Sequence, residues 1–75
     1  MEKHNMKKFK KDNYYHCDTR RYQKILQYKT RVGDRWIDMK DNHNKHFLLY
    51  DFEIKRPATK KEITEFKRKE IENSI

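Results

Sequence analysis

Apolar residues in this chain come in short bursts between long polar stretches, and their spacing alternates between the period of a strand and that of a helix. "RYQKILQYKTRV", Arg21 to Val32, fits both. As a strand it puts Tyr22, Leu26, Tyr28 and Val32 on one face, with Lys24 and Thr30 as exceptions. As a helix it lines up Tyr22, Ile25, Leu26 and Val32, with Asp18 as N-cap and Gly33 as the stop. The strand is preferred. The segment is rich in Tyr, Thr, Val and Ile, and Gly33-Asp34 suits a two-residue hairpin turn with the glycine at positive φ.

That turn predicts a register. Val32 faces Arg35, Arg31 faces Trp36, Thr30 faces Ile37, Lys29 faces Asp38, and Tyr28 faces Met39. Side chains alternate along strands, so Tyr28, Thr30, Val32, Ile37 and Met39 form a core face. Arg31, Trp36, Lys29 and Asp38 take the outer face.

A polar loop, "KDNHNK", leads to a third strand, "HFLLYDFEIK". Its positions Leu48, Tyr50, Phe52 and Ile54 are all apolar and are expected in the core, and Arg56-Pro57 ends it. Upstream, "YYHC" (Tyr14 to Cys17) is a candidate additional edge strand. Thr59-Lys60-Lys61-Glu62 is a capping box, so a helix is expected from Lys60 to about Asn73, with Ile63, Phe66 and Ile71 packing on the sheet. The predicted architecture is a small α+β fold: a three-stranded antiparallel sheet (β-β-β-α) with one C-terminal helix on one face. Residues 1–13 form a basic flexible arm with five lysines, and residues 14–75 a single domain.

Composition sharpens the picture. Charged residues make up 43% of the 75-residue chain and hydrophobic ones 33%, a balance that on its own permits disorder. Five tyrosines, four phenylalanines and a tryptophan supply the buried area that argues for a thin but real core. Twenty Lys and Arg against twelve acids give a net charge of +8, which attracts polyanions. Cys17 is the sole cysteine, so no internal disulfide exists and a cytoplasmic setting is expected. No apolar run approaches a membrane span.

Three constellations carry candidate chemistry. The outer sheet face joins Lys29, Arg31 and Lys40 to Trp36, with Gln27 and Ile25 beside them, and with Phe47 and Leu49 if the third strand joins; Arg35, beside the turn, is a further candidate contact. Cations neutralise phosphate, rings stack on bases and amides read base edges. A cross-strand Arg31–Trp36 contact that only steadies the hairpin is the competing account. Lys60 and Lys61 open a helix where the macrodipole disfavours cations, a misfit that a phosphate would relieve. The arm adds Lys7, Lys8, Lys10 and Lys11. Four scattered histidines and one cysteine do not make a zinc pattern, and neither a cofactor nor a metal is expected.

"PATKKEITEFKRKEI", Pro57 to Ile71, resembles the helix that closes the three-stranded arm-type DNA-binding domain of phage-type integrases. That resemblance implies a sheet that enters a DNA groove, although the third strand here is longer than the family's. "DFEIK", Asp51 to Lys55, is similar to the half-motif of restriction-endonuclease-like nucleases. It implies Asp38 and Glu53 on a divalent metal and Lys55 beside the attacking water. The chain is short for that fold, and a non-enzymatic role is expected.

The expected function is therefore a nucleic-acid-binding module, of the kind a phage or mobile element encodes, holding duplex DNA through its sheet face and arm. The alternative is a protein-binding inhibitor or adaptor that uses the Trp36 face or a strand edge against an acidic protein surface, with a homodimer as a further option.

Overall fold

The computed structural model describes residues 8–20 and 23–74. Five strands, β1 (Tyr14–Cys17), β2 (Ile25–Arg31), β3 (Trp36–Lys40), β4 (His46–Tyr50) and β5 (Ile54–Pro57), precede one helix, α1 (Lys60–Asn73). A single 3-10 turn, Asp51–Glu53, separates β4 from β5. The fold is α+β with an antiparallel sheet and a C-terminal helix, as the pattern predicts. The sheet has five strands rather than three, in the order β4-β3-β2-β1-β5.

This order dictates a curl. β4 and β5 stand at opposite ends of the sheet, four inter-strand steps apart, about 19 Å if the sheet were flat. The chain from Tyr50 to Ile54 reaches about 14 Å when fully extended, and less in a 3-10 turn. The sheet must therefore roll until its two ends approach. Leu49 of β4 and Ile54 of β5 accordingly share one buried cluster with Tyr15, Cys17, Leu26, Ile37 and Met39. The Asp18 N–H donates to the Glu53 carbonyl at 2.7 Å, pinning the end of β1 to the turn.

The candidate edge strand Tyr14–Cys17 forms, but between β2 and β5 and not at an edge. The expected third strand breaks in two. Within it Leu49 is buried, while Leu48 is 49% and Phe52 56% exposed, so the expected core set Leu48, Tyr50, Phe52 and Ile54 is corrected to Leu49 and Ile54. The 3-10 turn is the cause: it ends the two-residue alternation, and the buried phase passes from odd to even positions across it.

The β2–β3 hairpin departs from its predicted register in a compensated way. Tyr28 faces Met39 as expected, but Thr30 faces Asp38 and Arg31 faces Ile37. Val32 donates its N–H to the Trp36 carbonyl at 2.9 Å, so three residues, Gly33 to Arg35, make the loop. A bulge between Tyr28 and Thr30 absorbs the extra residue. Beyond it the faces of β2 exchange. Thr30 and Val32 leave the expected core, and Val32 is 55% exposed. Arg31 no longer opposes Trp36. Gly33 does not have a positive φ. Ile37 and Met39 are fully buried, as the pattern predicts.

The helix matches its predicted bounds and cap. Thr59 Oγ1 accepts from the Glu62 N–H, and the Glu62 carboxylate accepts the Thr59 N–H at 2.8 Å. Its packing face is narrower than expected: Phe66 is buried, Ile63 is half-buried, and Ile71 is 63% exposed. Tyr14 and Lys40 alternate with the core residues Tyr15 and Met39, so they point to the outside of the curl. Phe66 meets Tyr14 with ring centroids 5.0 Å apart, and Glu70 meets Lys40 at 2.9 Å. The helix thus lies across the outer face of the sheet. Asn73 Nδ2 ties its far end to the Asn42 carbonyl in the β3–β4 loop.

Candidate functional site

Residues 8–13 lie against the curled sheet. Phe9 packs edge-on to Tyr15, with centroids 5.2 Å apart, and also against Tyr28 at 5.5 Å. The Lys10 N–H donates to the Tyr15 hydroxyl, and the Asp12 N–H to the Tyr28 carbonyl. Asp12 takes a left-handed φ of 67°, a conformation Asp tolerates better than most residues, and this reverses the chain between Lys10 and Asn13. Anchored by Phe9, the exposed Lys8 and Lys10 stand over the outermost strand, β5.

A cleft of about 470 Å³ opens there, lined by both lysines, Asn13, Tyr14, and Lys55 and Arg56 of β5. Four of its ten lining side chains are cationic and none is a carboxylate. Arg56 is partly committed, because both of its terminal nitrogens donate to the Glu62 carboxylate at 2.9 Å. That fork, with the Thr59 N–H, pushes the Glu62 carboxyl down to about 2. Arg56 leads on to a second groove of about 540 Å³ beside α1, which Glu62 lines. Its floor includes Ile25 and Phe66, and Lys24, Lys61, Lys69 and His43 stand around it.

The expected outer-face site is not assembled as the sequence pattern suggests. Lys29 is bound to Asp12 at 2.6 Å, which holds the Asp12 carboxyl below its usual range. Lys40 is bound to Glu70 at 2.9 Å and to Asn44 at 2.6 Å. α1 lies over the part of the face that carries Lys40 and Ile25. Arg31 donates to the Asp34 carbonyl within the hairpin, and Arg35 is exposed, with its carbonyl accepting from the Asp51 N–H. Lys60 and Lys61 are exposed at the helix start, where Glu62 and Thr59 already serve the end of the helix. Lys11 is exposed in the turn, and Lys7 lies outside the described residues. The structure thus brings Lys8 and Lys10 together with Lys55 and Arg56. The signal for the last two was present in the basic pair before Pro57.

Trp36 is 39% exposed and stacks on its cross-strand partner Tyr50 at 4.1 Å, while Phe52 lies nearly parallel to Tyr50 at 5.0 Å. Trp36 and Phe52 thus each pack against Tyr50 and keep exposed surface of their own.

The half-motif residues have separate engagements. Asp38 lies 3.0 Å from His46 Nδ1, Glu53 accepts the Tyr50 N–H, and Lys55 lines the β5 cleft. Among the described residues no three His, Cys, Asp or Glu side chains gather to hold a metal ion. Cys17 is fully buried, and burial pushes its thiol up to about 12, the behaviour of an inert core filler rather than a nucleophile. Among the described residues no helix is long and apolar enough to cross a membrane. No family model matches the chain, and neither a curated protein nor a solved structure matches it.

Proposed function

We propose that this chain is a non-enzymatic nucleic-acid-binding module that seats a phosphate backbone in the cleft between residues 8–13 and β5. The observation that carries this reading is the lining: Lys8, Lys10 and Lys55 gather there with no carboxylate among the lining residues, beside the Arg56 that forks to Glu62. A chain of net charge +8 draws polyanions from a distance, and a concave cationic track then holds them. Lys8 and Lys10 are presented at low entropic cost, because Phe9 between them is packed on the core. Asn13 and Tyr14 offer the amide and hydroxyl that often complete phosphate and sugar contacts. Nothing in this arrangement reads base edges, so the binding is expected to tolerate sequence.

The test is an anisotropy titration of a labelled mixed-sequence duplex at two salt concentrations. Wild-type affinity should fall steeply with salt. The Lys8→Ala/Lys10→Ala/Lys55→Ala variant should bind more weakly, with a log–log salt slope shallower by about 0.9 for each phosphate it no longer neutralises. Lys29→Ala, whose ammonium faces Asp12, should change little. A triple variant that binds like wild type removes the cleft from consideration.

A second reading, a protein-binding adaptor or inhibitor, rests on a different observation. Val32, Trp36, Leu48 and Phe52 stand exposed around Tyr50 on the outside of the β3–β4 hairpin.

A further inference from the structure

Among the described residues the exposed large apolar side chains are Val32, Trp36, Leu48, Phe52 and Ile71. All but Ile71 belong to one strip. Trp36 faces Tyr50 across the β3–β4 ladder, and Val32 lies on the other side of Trp36. Phe52 stacks on Tyr50, and Leu48 precedes Tyr50 by the two residues that keep it on the same face. The charges around this strip are of both signs: Asp38 sits against His46, Glu53 accepts the Tyr50 N–H, and Arg31 and Arg35 lie near Asp34 and Asp51. The cationic cleft uses none of these residues.

The strip borders a strand edge. β4 ends the sheet order, and it lacks the usual guards of an edge: His46–Tyr50 contains no lysine and no proline, and its register against β3 is unbroken. Its backbone polarity can be read from one bond. The Tyr50 N–H donates to Glu53 Oε1 at 2.9 Å, so it points away from β3. By the alternation of an antiparallel ladder, Leu48 and His46 also turn their N–H and C=O groups outward. Glu53 closes the edge at Tyr50 and leaves it open at Leu48.

We propose that β4 pairs antiparallel with β4 of a second copy of this chain, about a two-fold axis at Leu48. This inference takes up the protein-binding reading of the Trp36 strip and is independent of the nucleic-acid cleft. Leu48 then exchanges both backbone hydrogen bonds with the second copy's Leu48, and Phe47 faces the second copy's Leu49. Opposed residues share a face, so the two Leu48 side chains meet and the two aromatic strips become neighbours. A second copy fits better than a charged partner because the edge strand itself, His46–Tyr50, carries no lysine, arginine or carboxylate and is self-complementary. Each copy nevertheless carries +8, so long-range repulsion opposes pairing and salt relieves it. Self-association strengthens with salt, whereas nucleic-acid binding weakens.

Sedimentation equilibrium of the full chain over rising concentration, at two salt concentrations, tests this. Wild type should dimerise, more tightly at the higher salt. Leu48→Lys, at an exposed position, should keep the fold by circular dichroism and dimerise at least about tenfold more weakly. Thr30→Lys, exposed on β2 away from the edge, should dimerise like wild type. A wild-type chain that stays monomeric at ~1 mM overturns the proposal and leaves the strip to a different protein. So does a dimer that Leu48→Lys leaves intact. Neither result touches the cleft variants.

Discussion

Phe66 of α1 and Tyr14 of β1 meet on the outside of the curled sheet, their rings 5.0 Å apart and inclined by 60°. The contact joins the helix to a strand whose other face supplies Tyr15 and Cys17 to the core. Phe66 is the sole buried residue of α1. Removing its ring should cost about 3 kcal/mol, within the range for Phe→Ala at buried sites. Urea unfolding of Phe66→Ala should show this as a lower midpoint. An unchanged midpoint would mean that the helix contributes nothing to the cooperative unit.

The helix start links stability to pH. The Arg56 fork and the Thr59 N–H hold the folded Glu62 carboxyl at about 2, below its ordinary 4.5. A depressed folded value favours the ionised form, so the contribution is fully present above the unfolded value. It is lost as pH falls from about 5 towards 2. Glu62→Gln should be less stable than wild type at neutral pH and should flatten that acid limb. Acid titration of the unfolding midpoint for both proteins decides it. Parallel curves would mean that Glu62 plays no part in the acid response.

What was legible in the sequence depended on how locally each feature is specified. The capping box needs four consecutive residues, and the helix begins where Thr59 and Glu62 place it. The Tyr28–Met39 pair also follows from local alternation. The return of β5 to β1 does not. It is settled by a curl that buries Leu49 and Ile54 together, and a strand period read along "HFLLYDFEIK" runs straight through the 3-10 turn that makes this possible. The pairing of the outer-face lysines is hidden for a similar reason. Lys29 and Lys40 look free along the chain, yet their partners Asp12 and Glu70 lie 17 and 30 residues away. Charge pairing at such separations leaves no mark in a local pattern.

Gly33 separates the observed hairpin from the predicted one. A two-residue turn would need its positive φ, and alanine there would be strained. In the three-residue loop its φ is not positive, and an added Cβ would meet only Trp36 Cδ1, at 3.9 Å, an ordinary contact. Gly33→Ala should therefore match wild type or gain up to ~1 kcal/mol through a less flexible unfolded chain. Thermal unfolding checks this, and a clear loss of stability would restore the tighter turn.

Cys17 reports on whether the curl opens. Its thiol is fully buried, raised to about 12 by burial with the Glu53 charge adding to it, and so carries almost no thiolate at neutral pH. A thiol reagent added to the folded protein should react only through opening events. The rate should rise on adding urea and, at the unfolding midpoint, approach that of a free thiol. β1 lies between β2 and β5, so exposing Cys17 requires the sheet itself to separate and not merely the helix to lift. Labelling of Phe66→Ala tests that distinction. If exposure needs the sheet to separate, labelling of this variant should speed up only by the factor that its lower global stability predicts. A much larger rise would mean that lifting the helix alone exposes the thiol. Rapid labelling of the wild-type protein without denaturant would mean that the sheet is not closed around Cys17 at all.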